Sequence, residues 1–220
     1  MSPRLTFEIE LKNLQQAILE MSEQVEHAYV QLIKGLEDKN EHLLKQVMEG
    51  DHTVNDMQRA IEAKCLTLIT KQTPVARDLR LISAALKVVT DIERIGDHAA
   101  DIAELLLHMH MPDLNGYSVH FEKMLTSAMT MIKDSADAFV QVDVAASRKL
   151  NAMEEVVDEC FCKIREDIIM QLKGEEKDVD CLVDALMIAK YLERVGDHAV
   201  NVCEWEVFQE TGIIEDYRIL

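Results

Sequence analysis

The chain has 220 residues, a formal net charge of −18, 48% apolar and 29% charged residues, and only 5% aromatics. That length allows one large domain or two small ones, with enough apolar residues for a real core. A field of this sign repels phosphate backbones and no basic cluster offsets it, so the expectation is no nucleic-acid partner and a preference for cations over free anions.

Seven Gly and three Pro in a chain rich in Leu, Ala, Glu, Met and Lys point to long helices. No apolar run approaches the ~20 residues that span a bilayer. The N-terminal stretch MSPRLTFEIELK alternates charged and apolar residues and has no signal-peptide core. These features give the expectation of a cytoplasmic protein. The five cysteines (65, 160, 162, 181 and 203) form no CxxC pair and read as reduced and mostly packed. The twelve Met read as core filler.

Leu11, Leu14, Ile18, Met21, Val25, Ala28 and Leu32 alternate steps of three and four, the seam of a helical bundle. DKNE, from Asp38 to Glu41, reads as a capping box opening a second helix, whose stripe is Val47, Val54, Met57, Ile61 and Leu68. Thr73–Pro74 reads as an N-cap followed by Pro at the first helical position of a third helix, which runs to about His110. MPDLNGY, from Met111 to Tyr117, holds a Pro and a Gly and breaks all periodicity, so it reads as the linker. Three more helical segments follow at about 118–141, 144–172 and 177–209. Asp143 is placed to cap the middle one and Gly174 to close it.

The chain thus divides into a first three-helix repeat (1–110), a linker (111–117), a second three-helix repeat (118–210) and a short tail (211–220). Between 91–104 and 191–204, seven of fourteen residues are identical. That degree of self-similarity implies an internal duplication. The expected fold is all-α: two similar antiparallel three-helix bundles side by side.

ERIGDHAADIAE begins at Glu93 and ERVGDHAVNVCE at Glu193. In the third helix the seam Leu79, Ile82, Leu86, Val89 reaches Glu93, Gly96 and Ala100. In the sixth, Val179, Leu182, Leu186, Ala189 reaches Glu193, Gly196, Val200 and Cys203. Asp97, Asp101 and Glu104 share the face of Glu93; Asp197, Asn201 and Glu204 share that of Glu193. Like charges at i, i+4 repel, and carboxylates at a seam lose hydration, so each cluster needs a counter-charge. Arg94 and Arg194 lie about 100° round the helix and face elsewhere. A cation is the better compensator, and oxygen-only ligands suit hard ions such as Mg²⁺, Ca²⁺, Mn²⁺ or iron. Asp51 lies opposite the first cluster, and Glu154 and Asp158 opposite the second. Gly96 and Gly196 leave room for an ion or for a close helix. The competing reading is a solvated acidic face, or Glu–Arg pairs between helices. His98 and His198 read as groups that pack or hydrogen-bond where the repeats meet, with support of the ligands as the alternative.

The paired motifs, the QTPVARDLR segment from Gln72 and the two positions facing each motif from the second helix of each repeat together resemble the PhoU family, bacterial regulators of phosphate uptake and phosphate signalling. The similarity covers nearly the whole chain. It implies two antiparallel three-helix bundles carrying multinuclear metal clusters on an exposed face, with iron, zinc, manganese or magnesium as the ion. By position, the first cluster would use Glu93, Asp97, Asp101 and Asp51; the second would use Glu193, Asp197, Asn201, Glu154 and Asp158. Asn55 stands opposite Asp158 in the alignment of repeats, and Asn201 opposite Asp101, so each site has one corner without charge.

The resemblance also implies a non-enzymatic negative regulator. It would link the ATPase subunit of a phosphate ABC transporter with a sensor histidine kinase, reach the membrane only through those partners, and form a homodimer. Leu105 to Leu107 are apolar positions left over for such a contact. Two rivals remain on the sequence alone: a purely structural acidic adaptor, and a ferritin-like di-iron enzyme. The di-iron enzyme requires Glu-x-x-His from two helices, which neither motif copy contains.

Overall fold

A computed structural model describes residues 3–71, 74–174, 178–214 and 217–218. Six long helices make up the chain: α1 Pro3–Glu37, α2 Glu41–Lys71, α3 Ala76–His108, α4 Phe121–Gln141, α5 Val144–Leu172 and α6 Val179–Thr211. Helices α1–α3 form one bundle and α4–α6 the other. The all-α architecture of two bundles side by side is therefore as expected. The most extensive pairing of any two elements is α3 against α6, with α1 against α4 adding a second seam. The two central helices each complete their own bundle and also join the two.

The apolar stripes form the core. Leu11, Leu14, Ile18, Met21, Val25 and Leu32 of α1 are buried, with Val47, Val54, Ile61 and Leu68 of α2. The α1 seam passes through Tyr29, fully buried, with Ala28 at its flank; the Tyr29 hydroxyl donates to Ile95 O at 3.0 Å. Helix α3 is buried round much of its circumference, including Ala84, Ala85, Val88, Ile92, Ile95, Ala99 and Ile102, because α1 and α2 cover one side and α6 the other. Cys65, Cys160 and Cys203 are buried, whereas Cys162 is exposed.

Several helix ends differ from the sequence expectation. Asn40, not Asp38, caps α2, its Oδ1 accepting from His42 N at 3.1 Å, because a turn over 38–39 separates the helices. Helix α3 begins at Ala76 with Val75 as an extended N-cap, so Pro74 lies outside the helix; Thr73 falls outside the described residues. Asp143 caps α5 as expected, accepting from Ala145 N and Ala146 N, and Gly174 follows its C-cap, Lys173. Helix α6 runs on to Thr211 and stops at Gly212 (φ 75°), whose N–H donates to Phe208 O at 2.7 Å. Beyond it Ile213–Ile214 pair antiparallel with Tyr217–Arg218.

The linker is packed. Met111 and Leu114 are buried, Ser118 Oγ donates to Asp167 Oδ2 at 2.7 Å, and Gln171 Nε2 donates to Tyr117 O at 2.6 Å. Leu106 is buried and Leu105 and Leu107 pack against the same core, so this apolar run is used within the chain. The QTPVARDLR segment has a visible structural task. Asp78 accepts from Arg4 Nη1 at 2.7 Å, tying α3 to α1, and Arg80 donates to the last carbonyls of α6, Gln209 O at 3.0 Å and Glu210 O at 3.2 Å.

Gly96 and Gly196 serve close helix packing. A Cβ at Gly96 would stand 3.3 Å from Val54 Cγ1 and 3.4 Å from Val25 Cγ2; at Gly196 it would stand 3.5 Å from Val157 Cγ1. Alanine is preferred to glycine in a helix interior by roughly 1 kcal/mol. Gly196→Ala, with an ordinary contact, is therefore expected to raise the melting temperature by about 2–4 °C. Gly96→Ala must displace a valine and is expected to gain less or to lose stability; thermal melts of the two variants check the order.

Candidate carboxylate clusters

Each cluster is built by one central helix and its hairpin partner. The central helices α3 and α6 present Glu93 and Glu193 at the flank of their buried faces, with side chains only 14% and 15% exposed. Helices α2 and α5 supply the facing acids, and the valines opposite the two glycines, Val54 and Val157, set the same register in both hairpins.

In the first repeat Asp51, Glu93 and Asp97 come together. Asp97 is within hydrogen-bonding reach of Asp51, and Asp51 Oδ2 accepts from Asn55 Nδ2 at 2.8 Å. Asp51 Oδ1 and Glu93 Oε2 are buried with no hydrogen-bond partner. Burial first, and then the charge of Asp97, push the Glu93 carboxyl up against the opposing charge of Arg94, with Asp51 and Glu62 adding to the rise. Burial and Asp51 do the same to Asp97. The sequence placed Arg94 elsewhere, but its long side chain folds back: Nη1 donates to Asp97 Oδ2 at 3.0 Å and Nε stands 3.5 Å from Glu93 Oε2 without making a hydrogen bond. Asp101 lies at the edge, 44% exposed, and is raised by burial and by Asp97 against the opposing charge of Arg194 from the other repeat.

In the second repeat Glu154, Asp158 and Asp197 come together. Glu154 is raised by burial, then by Asp158 and Asp197. Glu193 is engaged by the Lys190 ammonium. Asn201 is turned to the interface between repeats, where its Nδ2 donates to Asp91 Oδ1 at 3.1 Å; His198 Nδ1 bonds the same oxygen at 2.8 Å.

The two histidines behave as residues of that interface. The His98 ring stacks on Tyr191 at 5.2 Å and lies 5.7 Å from the His198 ring. Burial, then His198 and Arg194, push His98 down to about 4, so its ring is neutral near pH 7 and its 3.6 Å approach to Asp101 is not an ion pair.

Sequence reasoning missed Asp91, Tyr191, Lys190 and Glu62. Lys190 was findable, since it precedes Glu193 by three residues, a spacing that brings side chains together on a helix. Asp91 was not, because its partners lie on the opposite repeat.

These residues fit hard cations by donor chemistry. The donors are all oxygens, two of those in the first cluster are buried and unsatisfied, and Glu93, Asp97 and Glu154 hold their protons above the ordinary range. Among the described residues, no three His, Cys, Asp or Glu side chains converge as a finished ligand set.

A duplicated all-α bundle with one carboxylate cluster per repeat defines the class: a two-bundle helical scaffold with paired acidic clusters. The PhoU domain profile matches residues 18–106 and again 121–205, and the chain belongs to the PhoU family. It is 33% identical over 210 residues to the phosphate-specific transport system accessory protein PhoU homolog of Clostridium acetobutylicum, covering 95% of this chain and 96% of that one. With the accessory protein PhoU of Escherichia coli it shares 28% over 212 residues, 96% of this chain and 87% of the relative. The crystal structure of the phosphate transport system regulatory protein PhoU from Streptococcus pneumoniae superposes with a TM-score of 0.86 at 27% identity, covering 96% of this chain and all 100% of that one. PhoU from Pseudomonas aeruginosa gives 0.87 at 26%, covering 94% and 100%.

The raised carboxyls carry a sign. A carboxyl raised in the folded state binds its proton more tightly there than in the unfolded chain, so its repulsion is absent at low pH and present once pH rises through the folded value. Glu93→Gln is thus expected to stabilise the chelator-treated chain at pH 7 by roughly 0.5–1 kcal/mol, or about 1–4 °C. The gain should shrink as the pH falls toward about 5. Thermal melts of the variant against wild type across that range check it. His98 titrates in both proteins and cancels in the difference.

Proposed function

We propose that this chain is a non-enzymatic regulator that limits phosphate uptake and keeps the phosphate-starvation response off while phosphate is plentiful. It acts by connecting the ATPase subunit of a phosphate ABC transporter with a membrane sensor histidine kinase. The observation that carries this reading is the match of the PhoU domain to both halves of the chain, in company with relatives named as accessory proteins of phosphate-specific transport. A place in the cytoplasm, at the membrane only through partners, accords with the described helices, none of which is long and apolar enough to cross a membrane. The chain works as a homodimer on this reading.

The clusters hold metal ions (iron, zinc, manganese or magnesium) in this proposal. Asp51, Glu93 and Asp97, with Asp101 at the edge, hold the first; Glu154, Asp158, Glu193 and Asp197, with Asn201, hold the second. The ion supplies the positive charge that the buried carboxylate oxygens lack. A metal-free acidic adaptor is the second reading, favoured by the absence of a converged ligand set among the described residues.

Two measurements test these readings. In a bacterium deleted for its own PhoU, expression of this chain is expected to restore repression of a phosphate-starvation promoter; failure to do so, with no capture of either membrane partner, overturns the regulatory reading. Plasma mass spectrometry of untagged protein is expected to find bound metal in wild type and its loss when Asp97 and Asp197 are both changed to Ala. A wild-type protein free of metal after growth in replete medium leaves the adaptor.

A further inference from the structure

The two clusters share a burial and differ in their neighbours. Glu93 and Glu193 are equally withdrawn from water, so both carboxylates bear a similar desolvation cost. Glu193 Oε2 accepts a hydrogen bond from Lys190 Nζ, and the same ammonium lies 5.3 Å from the centre of the Phe161 ring on α5. A carboxylate and an aromatic face together hold it in place. The first repeat has no cation at the equivalent position; its counter-cation is Arg94, 3.5 Å from Glu93 Oε2 and hydrogen-bonded to Asp97. Thr90 stands where Lys190 does, and its hydroxyl donates to Leu86 O of its own helix at 3.3 Å.

Matching Val54 to Val157, the residues that face the two glycines, sets Asp51 against Glu154, Gln58 against Phe161 and Glu62 against Arg165. The first hairpin therefore adds an acid where the second adds a base, and Glu93 feels the charge of Glu62. Arg94 and Arg194 do not reverse the inequality. Arg94 ion-pairs Glu93 at 3.5 Å and donates to Asp97, and Arg194 acts on Asp101, yet neither gives Glu93 Oε2 a hydrogen bond.

We propose that Lys190 is a resident counter-cation of the second cluster, so that a divalent cation loads at Asp51, Glu93 and Asp97 before it loads at Glu154, Asp158, Glu193 and Asp197. The inference rests on the metal reading of the clusters. An ion entering the second cluster must first free Glu193 from the ammonium and then sit beside that positive charge; an ion entering the first competes with Arg94 for Asp97 but meets oxygens of Glu93 and Asp51 that accept no hydrogen bond. Displacing a partly exposed ion pair weakens binding by up to about fivefold.

The test is Mn²⁺ binding to the full-length chain stripped of metal, followed by calorimetry and by the spin-resonance signal of the free ion. Wild type is expected to show one tight class of sites, lost in Asp97→Asn and kept in Asp197→Asn. Lys190→Thr, which installs the residue of the first repeat, is expected to tighten the weaker class by up to about fivefold and leave the tight class alone. Lys190→Arg keeps the charge and is expected to bind as wild type does. Circular dichroism confirms that each variant is folded.

In chelator, Glu193→Gln is expected to lower the melting temperature, since it strands the ammonium. Equal affinity of both clusters in wild type, or no change on Lys190→Thr, overturns the role of Lys190 while leaving both clusters as metal sites. No Mn²⁺, Zn²⁺ or Fe²⁺ uptake by any variant overturns the metal reading and this inference with it.

Discussion

The packing of α3 along α6 is the constraint on which the other features depend. It is the most extensive contact in the molecule, and it takes a helix that would be one-third of a bundle and covers it on two sides. Such a helix has no broad solvated face on which to spread polar residues. Its carboxylates are confined to the narrow flanks, where α2 or α5 stands close because Gly96 and Gly196 admit Val54 and Val157. The burial of Glu93 and Glu193 follows from that confinement.

Buried acids normally find a guanidinium or a ring of N–H donors. Here the supply is incomplete and uneven. Arg94 reaches Asp97, Lys190 reaches Glu193, and Glu93 Oε2 and Asp51 Oδ1 stay without a hydrogen bond. Removing water from like charges without pairing them raises their affinity for protons and equally for any other positive ligand. Among the described residues, the oxygens left without a hydrogen bond in these clusters both belong to the first repeat.

The clusters also sit against the joint between the repeats. The residue after each motif aspartate, His98 or His198, belongs to that joint: one stacks on Tyr191 and the other bonds Asp91. Asn201 joins the same Asp91, and Arg194 lends its charge to Asp101. Cluster and joint thus share helix turns.

The six helices, their duplication and their apolar stripes were legible in the sequence, because a period of 3.6 residues and a repeated motif are properties of the chain alone. The sequence set Glu93 and Glu193 in the seam itself, but Ile92, Ile95, Leu192 and Val195 fill the buried faces and leave the two glutamates at the flank. The capping of α2 by Asn40 rather than Asp38 was decided by how tightly the chain turns between α1 and α2. The direction of Arg94, the capture of Asn201 by Asp91 and the stacking of His98 on Tyr191 were decided by which helix stands beside which. Helical spacing says which residues share a face. It carries no record of the partner on the far side of that face, and a long, flexible side chain such as arginine or lysine settles only when its partner is in place. For that reason the sequence alone determined the bundles and the acids, and only the tertiary structure decided which acids are already answered.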